Sequence, residues 1–169
     1  MATGHLNNVE GFIKAITSYG GEDYPQFEEW YTPQNEILFQ EWMKDQPKVE
    51  VVTLYRGYTF DRMYFEASNF KVGDVVGVDA LTQLSFPSFT TSIMRASMYM
   101  NEFGETGLSD TVKVLFVVHT SGMGFVDVSQ LSYYPEEKEF KCGNDTYFRV
   151  KSVERKAGYY KIELIESIN

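Results

Sequence analysis

The chain of 169 residues has little cysteine and little histidine, which excludes several kinds of site. Its one cysteine, Cys142, cannot form a disulfide within the chain. Its two histidines, His5 and His119, are far apart, and no cysteine or histidine spacing matches that of zinc ligands. The sequence therefore predicts a fold stabilised by its core, without a disulfide and without a metal.

Long apolar runs and clusters of positive charge are also missing. No run of about 18 apolar residues is present, and the first residues lack the basic and apolar regions of a signal peptide. The chain has 24 acidic and 15 basic residues, so its formal net charge is −9. This charge argues against binding of nucleic-acid phosphates. We expect a soluble, cytoplasmic monomer without a membrane or nucleic-acid partner.

Apolar residues make up 43% of the chain and are enough for one sizeable core. Apolar residues at helical spacing predict helices over residues 6–16 and 32–46. The second of these helices is expected to bury Ile37, Leu38 and Trp42. We interpret the whole chain, 1–169, as one domain whose N-terminal segment, 1–46, is helical.

From residue 49 the pattern changes to the alternation that is typical of strands. Strands are predicted over residues 49–56, 75–78, 112–119, 137–142, 147–154 and 159–165. A helix over residues 94–100, after Ser92, is expected between the second and third strands. Helices followed by mainly antiparallel strands, here the β-rich segment 49–169, are typical of an α+β domain.

The first of three short motifs is Arg56-Gly57, at the expected end of the first strand. A guanidinium can bind a phosphate with two hydrogen bonds, and a glycine lets a ligand approach the backbone. The alternative is that Arg56 is an exposed strand residue with a partner at the surface. The motif alone does not decide between them.

The second motif, Thr90-Thr91-Ser92, precedes the expected helix over 94–100. Hydroxyl groups at the end of a strand can orient a carboxylate, and the start of a helix favours a nearby anion. The alternative is structural, with Ser92 as the N-cap of the helix and the two threonines as strand residues.

The third motif contains Glu137 and Glu139, which a strand places on one face, with Lys138 on the other. Two carboxylates on one face can divide the work of glycosidic chemistry, one stabilising an oxocarbenium ion and the other acting on the nucleophile. A solvated, charged hairpin is the alternative interpretation.

In their order and spacing, these motifs resemble the arginine, serine, glutamate pattern of mono-ADP-ribosyltransferases, from about Leu54 to Val150. The resemblance is to the branch with binary toxins, vertebrate ecto-enzymes and phage enzymes. It implies N-terminal helices and two small, mainly antiparallel β-sheets packed around an NAD cleft. It also implies transfer of ADP-ribose from NAD to an arginine of a target protein, with NAD as a substrate and no metal.

The resemblance assigns roles to individual residues around NAD. Arg56 would bind a phosphate, and the backbone of Gly57 would lie near the nicotinamide amide. Glu139 would stabilise the positive charge on the ribose, oriented by Thr90, and Glu137 would receive the acceptor arginine. The remaining cofactor-binding positions implied are Thr91, Ser92 and Phe103. Phe103 would stack on nicotinamide, although a core or exposed phenylalanine is equally consistent with the sequence.

Two departures from the family pattern leave alternatives open. Position 90 is threonine where a serine is usual, and no arginine occurs between Arg95 and Arg149, where family members often have one. Lys113, Arg95 or backbone amides could supply the second phosphate contact. An NAD glycohydrolase and a non-catalytic interaction domain with the same fold are therefore the competing functions.

Overall fold

The computed structural model describes residues 9–14, 30, 32–50, 52–82, 87–103, 110–122, 124–131 and 138–167. The helices are α1 (Pro33–Lys44), α2 (Arg62–Ser68) and α3 (Ile93–Phe103), and residues 9–14 are also helical. The strands are β1 (Thr53–Asp61), β2 (Val75–Gly77), β3 (Ser88–Thr90), β4 (Thr111–His119), β5 (Phe125–Asp127), β6 (Glu139–Cys142), β7 (Tyr147–Lys156) and β8 (Tyr159–Ser167). The α+β class is confirmed.

The strands form one sheet of eight in the order β2-β7-β8-β4-β1-β3-β6-β5. All pairings are antiparallel except that of β4 with β8, which is parallel. The long strand β1 pairs with β4 over nine positions, but with β3 only at Tyr55 and Thr90. The two small sheets of the sequence prediction are thus two parts of one sheet, joined at a single paired position.

Helix α1 begins where the sequence predicts, because Thr32 accepts a hydrogen bond from the Asn35 amide and proline follows as the first helical residue. The expected buried stripe is partly wrong. Ile37 is 59% exposed, whereas Phe39 and Met43 are buried. These two residues lie four apart and face a small core under the helical residues 9–14 and strand β5.

The main core lies on one face of the sheet and contains most of the buried aromatic residues. Phe60, Phe89, Phe116, Phe125 and Phe148 belong to it. On the other face, α3 packs on β1 and β4 through a smaller apolar cluster that includes Ala96 and Leu115. Strand β1 is therefore held from both faces.

Strand β1 begins and ends later than predicted, since it continues beyond Gly57 to Asp61. The elements α2 and β5 were not predicted. At the far end of the chain, β7 and β8 form a hairpin whose turn contains Gly158 in the left-handed region, at φ 87°. Of the described residues, none has an atom within 4 Å of a Cβ built on Gly158. None of the helices in the described ranges is long and apolar enough to span a bilayer.

Candidate functional site

Arg56 lies inside β1 with its side chain buried, at 8% exposure. Its Nε donates a hydrogen bond to the Leu81 carbonyl at 2.9 Å, and its Nη1 donates to the Ser88 carbonyl at 3.2 Å. The guanidinium carbon lies 4.5 Å from the centroid of the Tyr58 ring. Burial lowers the pKa of Arg56 to about 10, so the group stays charged at neutral pH. Arg56 is therefore not the exposed residue of the alternative interpretation.

The backbone of helix α3 packs closely against Gly57. A Cβ at this position would lie 1.7 Å from the carbonyl oxygen of Ala96. The close approach that glycine permits here is therefore that of a helix. The predicted contact of Gly57 with nicotinamide stays a prediction.

Two polar side chains meet at one oxygen of Glu139, which is 5% exposed at the start of β6. Ser88 Oγ donates a hydrogen bond to Glu139 Oε2 at 2.5 Å, and Lys141 Nζ lies 3.0 Å from the same oxygen. Lys141 Nζ also donates to Ser88 Oγ at 2.7 Å. Among the described residues, no hydrogen-bond donor meets Oε1 of Glu139. We call Ser88, Glu139 and Lys141 the carboxylate cluster.

The pairing of β3 with β6 explains why this cluster forms. Ser88 is directly opposite Lys141, and Thr90 is directly opposite Glu139. Because side chains alternate along a strand, all four lie on one face, while Phe140 and Cys142 pack into the main core on the other. Both faces of β6 are consequently buried.

Lys141 is 1% exposed, which is rare for a lysine. Burial lowers its pKa, and the neighbouring carboxylate of Glu139 opposes this shift. With Arg56, the carboxylate cluster contains two cationic side chains and one anionic side chain. The described residues of the site therefore favour an anionic ligand.

The three residues of the second motif, Thr90, Thr91 and Ser92, differ in exposure and in hydrogen bonding. Thr90 is 5% exposed, and its Oγ1 accepts a hydrogen bond from the Ser92 amide at 3.1 Å. Ser92 caps α3, since its Oγ accepts from the Arg95 amide at 3.2 Å, and Thr91 is exposed. The N-cap expected of Ser92 is thus present. The roles of Thr90 towards Glu139, and of Thr91 and Ser92 towards a cofactor, stay predictions.

Two further predicted site residues are Glu137 and Phe103. Glu137 lies outside the described residues. Lys138 has a left-handed backbone, at φ 50°, and among the described residues β6 begins at Glu139. Phe103 is the last residue of α3, and its predicted stacking on nicotinamide stays a prediction.

Sequence reasoning did not select Ser88 or Lys141. The signal for Lys141 was available, because a residue two positions after Glu139 in a strand lies on the same face. No local pattern favours Ser88 over Thr90, since both hydroxyls lie on the same face of β3. The described residues contain no group of three or more histidine, cysteine, aspartate and glutamate side chains that could hold a metal.

The cluster is suited to stabilising positive charge that develops on a bound molecule. A carboxylate held by donors at one oxygen is already oriented, so that its other oxygen can accept a hydrogen bond from a ligand. The guanidinium of Arg56 can counter the charge of an anionic ligand. A sugar phosphate that becomes cationic at its sugar would satisfy both requirements.

The sequence matches no protein-family model and no curated protein. The fold, however, is similar to those of solved ADP-ribosyltransferases. Vis, a toxin from Vibrio splendidus, solved in complex with agmatine, is 18% identical over 97% of this chain and 69% of that chain, with a TM-score of 0.64. An ADP-ribosyltransferase from Clostridium botulinum is 9% identical over 97% of this chain and 91% of that chain, with a TM-score of 0.64.

Exoenzyme S from Pseudomonas aeruginosa, solved with a human 14-3-3 protein and carba-NAD, shows the same similarity. It is 17% identical over 96% of this chain and 68% of that chain, with a TM-score of 0.58. At such identities the similarity establishes the fold. The expected ADP-ribosyltransferase-like fold is thereby confirmed.

Proposed function

We propose that this protein is an NAD-dependent mono-ADP-ribosyltransferase that transfers ADP-ribose to an arginine of a target protein and releases nicotinamide. The observation that carries the proposal is the buried connection from Arg56 through Ser88 to Glu139. Arg56 bonds to the Ser88 carbonyl, and the Ser88 hydroxyl bonds to the Glu139 carboxylate. This connection joins a phosphate-binding cation to a carboxylate in a chain with the fold of these enzymes.

Arg56 has donors left for a phosphate. A guanidinium has five N–H donors, and the described contacts of Arg56 use two of them, on the carbonyls of Leu81 and Ser88. These two bonds fix the plane of the guanidinium before a ligand arrives. The three remaining donors support binding of the NAD pyrophosphate.

The reaction replaces one bond to the anomeric carbon of the nicotinamide-side ribose. The bond to the nicotinamide nitrogen breaks, its electron pair leaves with nicotinamide, and positive charge develops on the sugar. Oε1 of Glu139 accepts a hydrogen bond from a ribose hydroxyl and stabilises this charge. A guanidinium nitrogen of the acceptor then forms the new bond, and the carboxylate of Glu137 takes its proton.

The preference for arginine rests on the Glu137 and Glu139 pair. A guanidinium is a poor nucleophile while protonated, because its pKa is above about 12. A second carboxylate gives the acceptor both a partner and a base, whereas water requires neither. That Vis, which has a similar fold, was solved with agmatine, a guanidine compound, supports the same acceptor class.

The test uses NAD with a labelled adenosine moiety, and agmatine as a small acceptor. We expect labelled ADP-ribosyl-agmatine and free nicotinamide, with little transfer to putrescine, which has amines and no guanidine. Glu139→Gln should lower the rate about 100-fold to 1,000-fold. Glu163→Gln, the same change on β8, which three strands separate from β6, should leave it unchanged.

Other results would favour a competing function. Nicotinamide release without any labelled acceptor, from agmatine or from a cell lysate, would identify an NAD glycohydrolase. Absence of both turnover and NAD binding in calorimetry would identify a non-catalytic interaction domain. Labelled target proteins in a lysate, identified by mass spectrometry, would name the partner.

A further inference from the structure

The carboxylate cluster contains a buried lysine that the proposed reaction does not use. We propose that Lys141 is a positioning residue for Glu139, and that its ammonium group fixes one oxygen of the Glu139 carboxylate. This inference rests on the proposed function, because it concerns the carboxylate that stabilises the ribose. In this proposal, Lys141 contacts neither the ribose of NAD nor the guanidinium of the acceptor.

The burial of Lys141 is the first argument. An ammonium group with 1% exposure loses its hydration, which is costly unless a partner compensates. An apolar side chain of similar length would fill the same space without that cost. The partner present is Glu139, at 3.0 Å between Nζ and Oε2. The lysine is therefore suited to holding the Glu139 carboxylate by a direct contact inside the protein.

The second argument is the asymmetry of the contacts. Both donors, Lys141 Nζ and Ser88 Oγ, meet Oε2, and the bond between them fixes their own arrangement. Two donors at one oxygen restrict rotation of the carboxylate about its terminal bond. Among the described residues no donor competes for Oε1, which stays oriented for a ribose hydroxyl.

The third argument is the set of charges around the carboxylate. Arg56 from β1 is the other cation of the site, but it donates to the carbonyls of Leu81 and Ser88. Strand β3 contributes the uncharged hydroxyls of Ser88 and Thr90. The thiol of Cys142 lies on the opposite face of β6, in the main core, where burial keeps it protonated by raising its pKa to about 12. Lys141 is consequently the cation that contacts the carboxylate directly.

The test compares nicotinamide release by the wild type, Lys141→Met, and Lys71→Met as a control in which an exposed lysine is replaced. Loss of the ammonium group should lower kcat about tenfold or more, because the carboxylate is no longer fixed, while KM for NAD changes less than about twofold. Lys71→Met should behave as the wild type.

Three results would contradict the positioning role of Lys141. A cation beside the carboxylate also opposes positive charge on the ribose, so a faster Lys141→Met variant would overturn the proposal. An unchanged kcat would overturn it as well. A rise in KM with constant kcat would assign Lys141 to phosphate binding and likewise reject the positioning role.

A second measurement decides the matter if Lys141→Met folds poorly or if the wild type is inactive. Urea unfolding is compared for the wild type, Lys141→Met, Glu139→Gln and the double variant. Lys141→Met should lower the urea midpoint in the wild type but not in Glu139→Gln, where no charged partner is left. An equal fall of the urea midpoint in both backgrounds would show that Lys141 and Glu139 do not stabilise each other, and would reject the proposal. Inactivity of the wild type alone would reject the proposed function and leave this result valid.

Discussion

The two parts of the sheet are stabilised in different ways. The long-strand part, β7, β8, β4 and β1, has strands of nine or ten residues with apolar side chains in the core. The short-strand part, β3, β6 and β5, has strands of three or four residues and contains the carboxylate cluster. One paired position, the hydrogen bond from Arg56 to the Ser88 carbonyl, and the shared main core link the second part to the first.

This difference indicates where the protein can open without unfolding. A short strand has few ladder hydrogen bonds, so its position depends on buried side-chain contacts with its neighbours. The candidate site thus lies in the part that is expected to open at the lower free energy. The predictions below test that comparison, from the largest expected effect to the smallest.

The largest expected effect is on the thiol reactivity of Cys142, which lies in β6 of the short-strand part. Burial raises the pKa of this thiol from 9.0 to about 12, so the thiolate fraction near pH 8 falls roughly 1000-fold. A thiol reagent should therefore label the native protein only when β6 opens. Labelling faster than global unfolding would support local opening, and labelling at the rate of a free thiol would contradict the burial.

Arg56→Ala should have the largest effect on stability. The carbonyls of Leu81 and Ser88 lose their donor, at about 1–3 kcal/mol each, and labelling of Cys142 should become faster. Urea unfolding measures the loss. The control is Arg62→Ala, which breaks an exposed contact with Asp110 and should leave the midpoint almost unchanged. Equal losses would mean that Arg56 does not hold the two parts together.

Gly57→Ala should have a smaller effect, on the packing of α3 rather than on the short-strand part. The new methyl group overlaps the Ala96 carbonyl, so α3 must move, at about 1–3 kcal/mol of the free energy of unfolding. Gly77→Ala is the control, because its nearest neighbour there is a side-chain oxygen of Asp79 at 3.0 Å. Similar midpoints for the two variants would show that α3 adjusts easily.

Glu163→Gln should have the smallest effect, in the long-strand part. Hydrogen bonds from His119 and Ser152 stabilise the carboxylate, and the first of these lowers the pKa of Glu163 below 4.5. Because the folded-state pKa is the lower one, the contribution is present above the unfolded value and disappears as the pH falls through the folded value. We expect the variant to lose less than about 1 kcal/mol of the free energy of unfolding at pH 7 and to equal the wild type in strong acid. Denaturation at both pH values checks this.

The sequence predicted elements with strong local signals. The start of α1 follows from Thr32 and the proline after it, and the alternation of β4 and β8 gave bounds within two residues of the observed ones. Ile37 was misplaced because the buried stripe of α1 is set by the core beneath it. Strand β5 has only three residues, which is too few for a period to be recognised.

The site was predictable where chemistry is carried by one residue and its neighbours along the chain. Arg56 and Glu139 were selected in this way, and the structure brings them into one network. Lys141 was not, because a lysine in a sequence indicates a solvated position in most proteins. The choice between Ser88 and Thr90 depends on side-chain geometry across two strands, which a single sequence does not contain.

The hairpin of β7 and β8 offers a place to attach reporters. Its turn at Gly158 is open, and three strands separate β8 from β6 in the sheet. Inserted tags are tolerated best at exposed turns of this kind. A fluorophore or surface anchor placed there would let binding of NAD be followed on immobilised protein, at a distance from the carboxylate cluster.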